Sequence, residues 1–328
     1  MRAGIVGAGW IGQRHAEALA GRDDVTVAAI CDLDAARAAE AAAVTGARVF
    51  SDWREMLDRA ELDALWICTP PRTHADPAVA ALDGGLALYL EKPIARSAQD
   101  AARIVAAAER SNAVCAVGYQ WRAVEVLADL GSALAGRTIG CLVGQSVGGT
   151  QSRPWFLNQA DSGGNLLERG SHHIDLARAL AGEVVAVQAA QSAVRLAPRQ
   201  DGAAAGDIAD AVTVLLHFSS GGLGTVVVAW TSDNLPGRYW VEVTAADAAL
   251  RLDLDPDFRL SGISGGSPVA ATSTARPFER SVDRFLASVK ASAPERVFCT
   301  PADAARTLAV ALAAEEALRT GRVTPVPD

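Results

Sequence analysis

The stretch NLLERGSHHIDLARAL, residues 165–180, sets two adjacent histidines between two carboxylates. Imidazoles and carboxylates move protons and ligate metals. Glu168, His172, His173 and Asp175 therefore stand for a metal site, for acid–base machinery, or for a polar helix without chemistry. Read as an α-helix at 100° per residue, Glu168, His172, Asp175 and Ala179 share one stripe, while His173 projects toward the sector of Leu166, Ala177 and Leu180. Adjacent histidines diverge by that same angle, and neither an HExxH pattern nor a third ligand spacing accompanies them. No metal is expected. His172 is the expected chemical group of the pair; His173 is expected to pack or to hydrogen-bond at a domain or subunit contact.

A second cluster lies at the start of the chain. GIVGAGWIGQRH puts Gly7, Gly9 and Gly12 in the G-x-G-x-x-G arrangement, after an apolar run and opening a helical one, and Asp32 follows 20 residues beyond Gly12. That context is the fingerprint of a dinucleotide site. Backbone along Gly7, Ala8, Gly9, Trp10, Ile11 and Gly12 can approach a pyrophosphate, and helix N-terminal amides can bind its charge. Asp32 can accept hydrogen bonds from an adenosine ribose, or it can cap the following helix. Asp32 and Asp34 would repel a 2′-phosphate, and the nearest basic residue, Arg37, stands a turn away on the helix. NAD is expected over NADP.

A third group follows later strands. LYLEKPIARS places Glu91, Lys92 and Pro93 at the C-terminal end of a buried strand, the edge where open α/β sheets bind ligands. Thr69, Pro70 and His74 follow the fourth strand at the same edge, where they can cover a cofactor or simply make a turn, with His74 capping a helix. Gln120 and Arg122 follow the sixth strand and are candidate substrate contacts, although an interdomain ion pair explains Arg122 equally. Trp155 can stack on a sugar ring or fill a core.

The elements that must position these groups are legible from periodicity. Strands are expected at Arg2–Val6, Val25–Cys31, Ala47–Phe50, Ala64–Cys68, Leu86–Leu90 and Val114–Val117, with Ala-rich helical segments between them. Alternation of this kind gives a doubly wound parallel sheet of the Rossmann type over residues 1–120. After a QWRAVEVLADL helix come strand-like stretches: CLVGQSVGG, VVAVQAAQSAV, DAVTVLLHF, GTVVVAWTS, YWVEVTA and ALRLDLD. SSGG reads as a hairpin turn, APRQDGAAAGD as a mobile loop, and the chain returns to helix over about 301–320 before Gly321. Residues 121–328 are thus expected to form a second α/β domain with a large, open, mainly antiparallel sheet.

Composition narrows the function classes. A length of 328 residues allows two domains, each with a core. The net charge of −8, with scattered basic residues, argues against nucleic acid. No apolar run is long enough for a bilayer, and the N-terminus lacks a signal-peptide pattern, so a soluble, cytoplasmic protein is expected. Five cysteines, odd in number and widely spaced, predict neither a disulfide framework nor a zinc cluster.

GAGWIG, Asp32, CTPPRTH (68–74), EKP (91–93), VGYQWR (117–122) and GGNLLERGSHHIDLA (163–177) together resemble the Gfo/Idh/MocA oxidoreductases, a family named for glucose-fructose oxidoreductase and inositol dehydrogenase. The resemblance implies a Rossmann domain followed by a sheet domain often used for oligomerisation, hence a homodimer or homotetramer. It implies a nicotinamide cofactor and a sugar, cyclitol or polyol substrate. It puts the family's catalytic lysine at Lys92, with a Lys–Pro bond that is commonly cis, and the family's histidine at His172. Glu168 occupies the place of the family's aspartate, one methylene longer, where displacements on the order of 1 Å matter. Arg169 and Ser171 replace residues that are apolar in inositol dehydrogenase-like relatives; Arg169 can bind a substrate acid or phosphate, or make a surface salt bridge.

These readings imply oxidation of a secondary alcohol. An imidazole titrates near pH ~6.5 and suits His172 to take the hydroxyl proton. Lys92 would hydrogen-bond the same oxygen, or share the proton if burial and a positive nicotinamide lower its proton affinity. Two other functions fit the same motifs: glycoside cleavage by transient oxidation on retained NAD, and a non-catalytic dinucleotide-binding sensor.

Overall fold

A computed structural model describes residues 1–149, 154–194, 208–230, 236–255 and 257–327. The chain divides into two units, Met1–Tyr119 with Ser281–Ala305, and Gln120–Arg280 with Arg306–Asp328.

In the first unit six parallel strands, β1 (Arg2–Val6), β2 (Thr26–Cys31), β3 (Arg48–Phe50), β4 (Ala64–Ile67), β5 (Ala87–Leu90) and β6 (Cys115–Val117), lie in the order β3-β2-β1-β4-β5-β6. This is the doubly wound arrangement with a crossover reversal beside β1. Every residue of β4, β5 and β6 is buried, as continuous apolar runs in a sheet covered on both faces should be. Helices Trp10–Ala20, Ala35–Thr45 and Ala98–Ser111 supply Ala-lined faces to that sheet.

Expecting everything beyond residue 120 in the second domain is corrected here, because residues 281–305 return to the first unit. The cause is aromatic. Phe285, with no exposed surface, meets Trp66 edge-to-face at 5.2 Å and Tyr89 at 5.5 Å, and Val282, Leu286 and Val297 join the same core. Burial of side chains this size stabilises by about 1.5–3 kcal/mol each. A hydrogen bond of 2.9 Å between the Tyr89 and Ser281 hydroxyls ties the returning helix to β5.

In the second unit a nine-stranded sheet runs in the order β14-β13-β12-β11-β7-β10-β9-β8-β15. Its strands are β7 (Cys141–Gly148), β8 (Val184–Ser192), β9 (Ala211–Phe218), β10 (Leu223–Trp230), β11 (Arg238–Ala245), β12 (Ala248–Asp255), β13 (Phe258–Ser264), β14 (Ser267–Ser273) and β15 (Thr324–Pro325). Only β7 and β10 pair in parallel; every other neighbouring pair is antiparallel. Alternating burial along β7, β9 and β12 shows one face on the core and one less covered. SSGG makes the β9–β10 hairpin, with Gly221 at φ 88°.

In this unit two strands went unread and one expectation fails. β13 and β14 escape sequence reading because SGIS and SPVAATS are small and polar, and the Gly265–Gly266 turn between them needs positive φ at both residues. QWRAVEVLADL is not one helix: a short 3₁₀ turn, Gln120–Ala123, precedes a helix beginning at Leu127. The Ala123 carbonyl, which a continuous helix would offer to Leu127, accepts from Arg280 Nε at 2.8 Å, and the Leu127 N–H turns to Val124. The segment read as a mobile loop, 197–207, lies outside the described residues.

Candidate active site

Sterics show which glycines of the first loop face a ligand. Gly7 has φ 95°, and a Cβ there would stand 2.8 Å from the Cys68 carbonyl; one on Gly12 would stand 1.9 Å from the Gly7 carbonyl oxygen. Both must stay bare for the strand and helix to close on each other. A Cβ on Gly9 would meet nothing within 4 Å, so that backbone borders open space. Helix Trp10–Ala20 starts at Gly9 with no side-chain cap, leaving its leading amides for an anion. Ala8 is fully buried, and its N–H donates to Asp32 Oδ2 at 2.7 Å, while Asp32 Oδ1 accepts from the Asp34 N–H at 2.9 Å. Asp32 is thus oriented rather than spent on capping. That role falls to Asp34, which accepts from the N–H groups of Ala36 and Arg37. The loop and Asp32 fit the diphosphate and ribose of a dinucleotide.

At the end of β5, Glu91 is nearly buried and Lys92 half-buried, and the Lys92–Pro93 bond is cis. Glu91 Oε1 meets Nε2 of the buried His15 at 2.9 Å, and its Oε2 accepts from the Lys92 N–H at 3.2 Å. Gly118 leaves room for this carboxylate, since a Cβ there would stand 3.1 Å from Oε2. Glu91 therefore anchors the turn that carries Lys92. His74, expected at the cofactor, has no exposed surface: Nε2 stands 2.7 Å from the Thr69 carbonyl and Nδ1 3.3 Å from that of Ile94. Burial lowers its pKa below the ordinary imidazole value. It is a strut joining the loop after β4 to the loop after β5, and it makes no side-chain cap. Thr69 and Pro70 remain half-exposed at the strand end, and the buried Thr69 hydroxyl oxygen has no hydrogen-bond partner among the described residues.

In the second unit the segment quoted at the outset is not one regular helix. Leu166–Gly170 is a π-helical turn, and the α-helix runs from Ser171 to Ala181. Such turns re-aim side chains and recur at functional sites. Gly163 and Gly164 enter it with φ 75° and 70°; a Cβ on Gly164 would lie 2.4 Å from Gln159 Oε1. Glu168, Arg169 and His172 are all half-buried. The His172 ring lies 4.9 Å from that of Trp121, tilted by 37°. His173 is 1% exposed, packs against Gly144, and has Nε2 3.3 Å from the Trp240 carbonyl; burial pushes its pKa down to about 4.

Asp175 does not serve the stripe on which the helical wheel places it. It is buried and receives a two-pronged bond from Arg122, Nε to Oδ2 at 2.7 Å and Nη2 to Oδ1 at 2.8 Å, with the Thr307 hydroxyl donating at 2.9 Å. Burial pushes its carboxyl up, against the pull of Arg122 and Thr307. Arg122, expected as a substrate contact or an interdomain ion pair, thus braces the His172 helix through this pair. Its partner lies within its own unit, not across domains. Trp155 is half-buried against Phe156, 4.0 Å between rings, beside the small core of Phe156, Ile208 and Trp230. Gln120 is half-buried at the head of its 3₁₀ turn. Among the described residues no cluster of three or more His, Cys, Asp or Glu is placed to hold a metal, and no helix is long and apolar enough to cross a membrane.

Comparison with known proteins matches residues 1–119 to an oxidoreductase family with an NAD-binding Rossmann fold, and residues 137–250 to the C-terminal domain of the same family. The rhizopine catabolism protein MocA of Rhizobium meliloti is 30% identical over 97% of this chain and 95% of its own. The chain belongs to the Gfo/Idh/MocA family. The myo-inositol 2-dehydrogenase of Thermotoga maritima is 29% identical over 69% of this chain and 67% of its own. A levoglucosan dehydrogenase in complex with NADH superimposes with a TM-score of 0.85 over 100% of this chain and 99% of that one, at 20% identity, a likeness of fold. This Gfo/Idh/MocA chain accordingly carries an NAD-binding Rossmann domain, and its relatives include sugar and polyol dehydrogenases.

Sequence reading missed three groups. His15 lies one turn beyond Gly12, and nothing local announces its bond to Glu91, 76 residues away. Trp121 sits between Gln120 and Arg122, and its aromatic type was the available signal. Tyr239, whose hydroxyl accepts from Arg169 Nη1 at 2.8 Å, is found only through the sheet.

Proposed function

We propose that this protein is an NAD-dependent dehydrogenase that oxidises a secondary alcohol of a sugar, cyclitol or related polyol, with NAD preferred over NADP. The observation that carries the reading is Lys92, half-buried on a turn anchored by Glu91, in the same unit as a glycine loop shaped for a dinucleotide. Bound NAD⁺ supplies the hydride acceptor. His172, on its rigid helix against Trp121, takes the hydroxyl proton; groups of this kind contribute about 10²–10⁴-fold to rate. Lys92 donates a hydrogen bond to a substrate oxygen and stabilises the negative charge that develops there. Glu168 orients substrate or imidazole, the π turn re-aiming a side chain longer than the family's aspartate. Asp32, with both oxygens already receiving backbone N–H groups, accepts from a ribose hydroxyl and repels a 2′-phosphate. The half-exposed Leu223 and Ile263 on the large sheet support a homo-oligomer.

The test is purified protein with NAD⁺ and pooled sugars, cyclitols and glycosides, following NADH absorbance beside Lys92→Ala. The parent should produce NADH steadily; the variant should lose turnover and keep NAD affinity. Turnover retained in Lys92→Ala refutes the assignment, and glycoside cleavage without NADH replaces dehydrogenation by retained-cofactor chemistry.

A further inference from the structure

Arg169 differs from three other arginines of its unit. Arg122 meets Asp175, Arg178 meets Glu183 and Arg137 meets Asp247, each through close N···O contacts. Arg169 is half-buried and has no carboxylate within ion-pair distance among the described residues; its one hydrogen bond there goes to the neutral Tyr239 hydroxyl. Its guanidinium lies 5.4 Å from the centre of the Tyr239 ring and 5.7 Å from that of Trp230. Gly148, at the end of β7, makes room for the pair: a Cβ there would stand 2.9 Å from Arg169 Nη1 and 2.7 Å from the Tyr239 oxygen. A guanidinium steadied by rings and one hydroxyl keeps most of its N–H fork for a planar or tetrahedral anion.

Its place relative to the chemistry is equally specific. Trp121 contacts the His172 ring at 4.9 Å and the Tyr239 ring at 6.4 Å. Imidazole and guanidinium are therefore the two ends of one aromatic wall, on residues three apart in the chain. From this arrangement we infer that Arg169 binds an acidic group of the substrate, so that the natural substrate is a sugar or cyclitol carrying a carboxylate or a phosphate ester. The inference rests on the dehydrogenase reading for the identity of the ligand as substrate. It does not rest on it for the anion. Asp255, at the end of β12, is near enough for Arg169 to draw its carboxyl down against the upward push of burial, but makes no ion pair with it. It acts as a like charge toward an incoming anion, which gives the inference a second handle of opposite sign.

The experiment uses the full chain loaded with NADH, so that alcohols bind without reacting, and calorimetric titration with glucose, glucuronate and glucose 6-phosphate. One of the acidic probes should bind about 10- to 100-fold more tightly than glucose, the range for a charge-assisted bond; which one does so separates carboxylate from phosphate. Arg169→Met should erase that preference with little change for glucose, Arg169→Lys should restore part of it, and Asp255→Asn should widen it a few-fold. Equal binding of acidic and neutral probes by the parent overturns the inference, as does a preference that survives Arg169→Met. If Arg169→Met does not fold, the absence of any gain in Asp255→Asn overturns it alone. Turnover with NAD⁺ is read separately. An Arg169-dependent acid preference without NADH formation refutes the dehydrogenase reading only; NADH formation from neutral sugars without acid preference refutes this inference only.

Discussion

Mild acid should destabilise the second unit through His173, and the size of the effect follows from its surroundings. The ring is 1% exposed, with Nε2 3.3 Å from the Trp240 carbonyl, the Trp121 ring edge-on at 4.7 Å, and Cδ2 so close to Gly144 that a Cβ there would stand 2.7 Å away. Burial lowers its pKa from 6.5 to about 4, with the positive charge of Arg169 acting in the same direction and the carbonyls of Trp240 and Gln145 opposing. Above about pH 6.5 the imidazole is neutral in both folded and unfolded chains and nothing is lost. As pH falls below that, the unfolded chain takes up a proton that the folded state refuses until about pH 4, so stability declines across this window. Each factor of ten in proton affinity is worth about 1.4 kcal/mol, which makes the loss about 2.5 kcal/mol on going from about pH 7 to about pH 4.5.

Urea unfolding followed by tryptophan fluorescence measures this at the two pH values, in the parent and in His173→Gln. The glutamine can still donate to the Trp240 carbonyl but does not titrate. The variant is expected to start less stable, because a packed ring is gone, and to lose about 2.5 kcal/mol less on acidification. His74, whose pKa burial also lowers, contributes acid sensitivity common to both proteins and cancels in the difference. Parallel losses in parent and variant would refute the reasoning.

Asp175→Asn strips the counter-charge from Arg122, whose side chain is 12% exposed, and should cost about 3–5 kcal/mol in unfolding free energy, while Arg122→Met with Asp175→Leu together should cost less than either single change; a double mutant no better than the singles would count against the buried pair. If Asp32 is the ribose ligand proposed above, NADP should bind at least about tenfold more weakly than NAD, and Asp32→Asn should narrow that gap; tighter NADP binding by the parent would sink the assignment of Asp32.

What was legible in the sequence was local. The first-unit strands are found within a residue or so of their ends, because a sheet buried on both faces needs continuous apolar runs such as ALWI and ALYL. Gly7 and Gly12 were readable as tight-turn positions because the loop imposes their spacing over a few residues, and the structure leaves no room for a Cβ at either. β13 and β14 carry no comparable burden: small polar side chains on strands beyond the main core leave little periodicity to read.

The site residues divide in the same way. Lys92 sits at a strand end and His172 on a recognisable helix, so each announces itself within ten residues. Arg122 was ambiguous because the carboxylate that claims it is 53 residues further on, and Arg169 because Tyr239 is 70 residues away. A charge has no fixed role until its partner is known, and for these two arginines the partner is supplied by chain return rather than by a neighbour. Arg122 and Arg169 make the contrast concrete. Both guanidiniums are half-buried and both stand near a Trp121–histidine cluster, yet one is answered by a buried aspartate and the other by a phenol and two rings. The first is paired with a carboxylate on the helix that carries His172. The second has no carboxylate partner among the described residues, which is why its charge is the one proposed to meet a ligand.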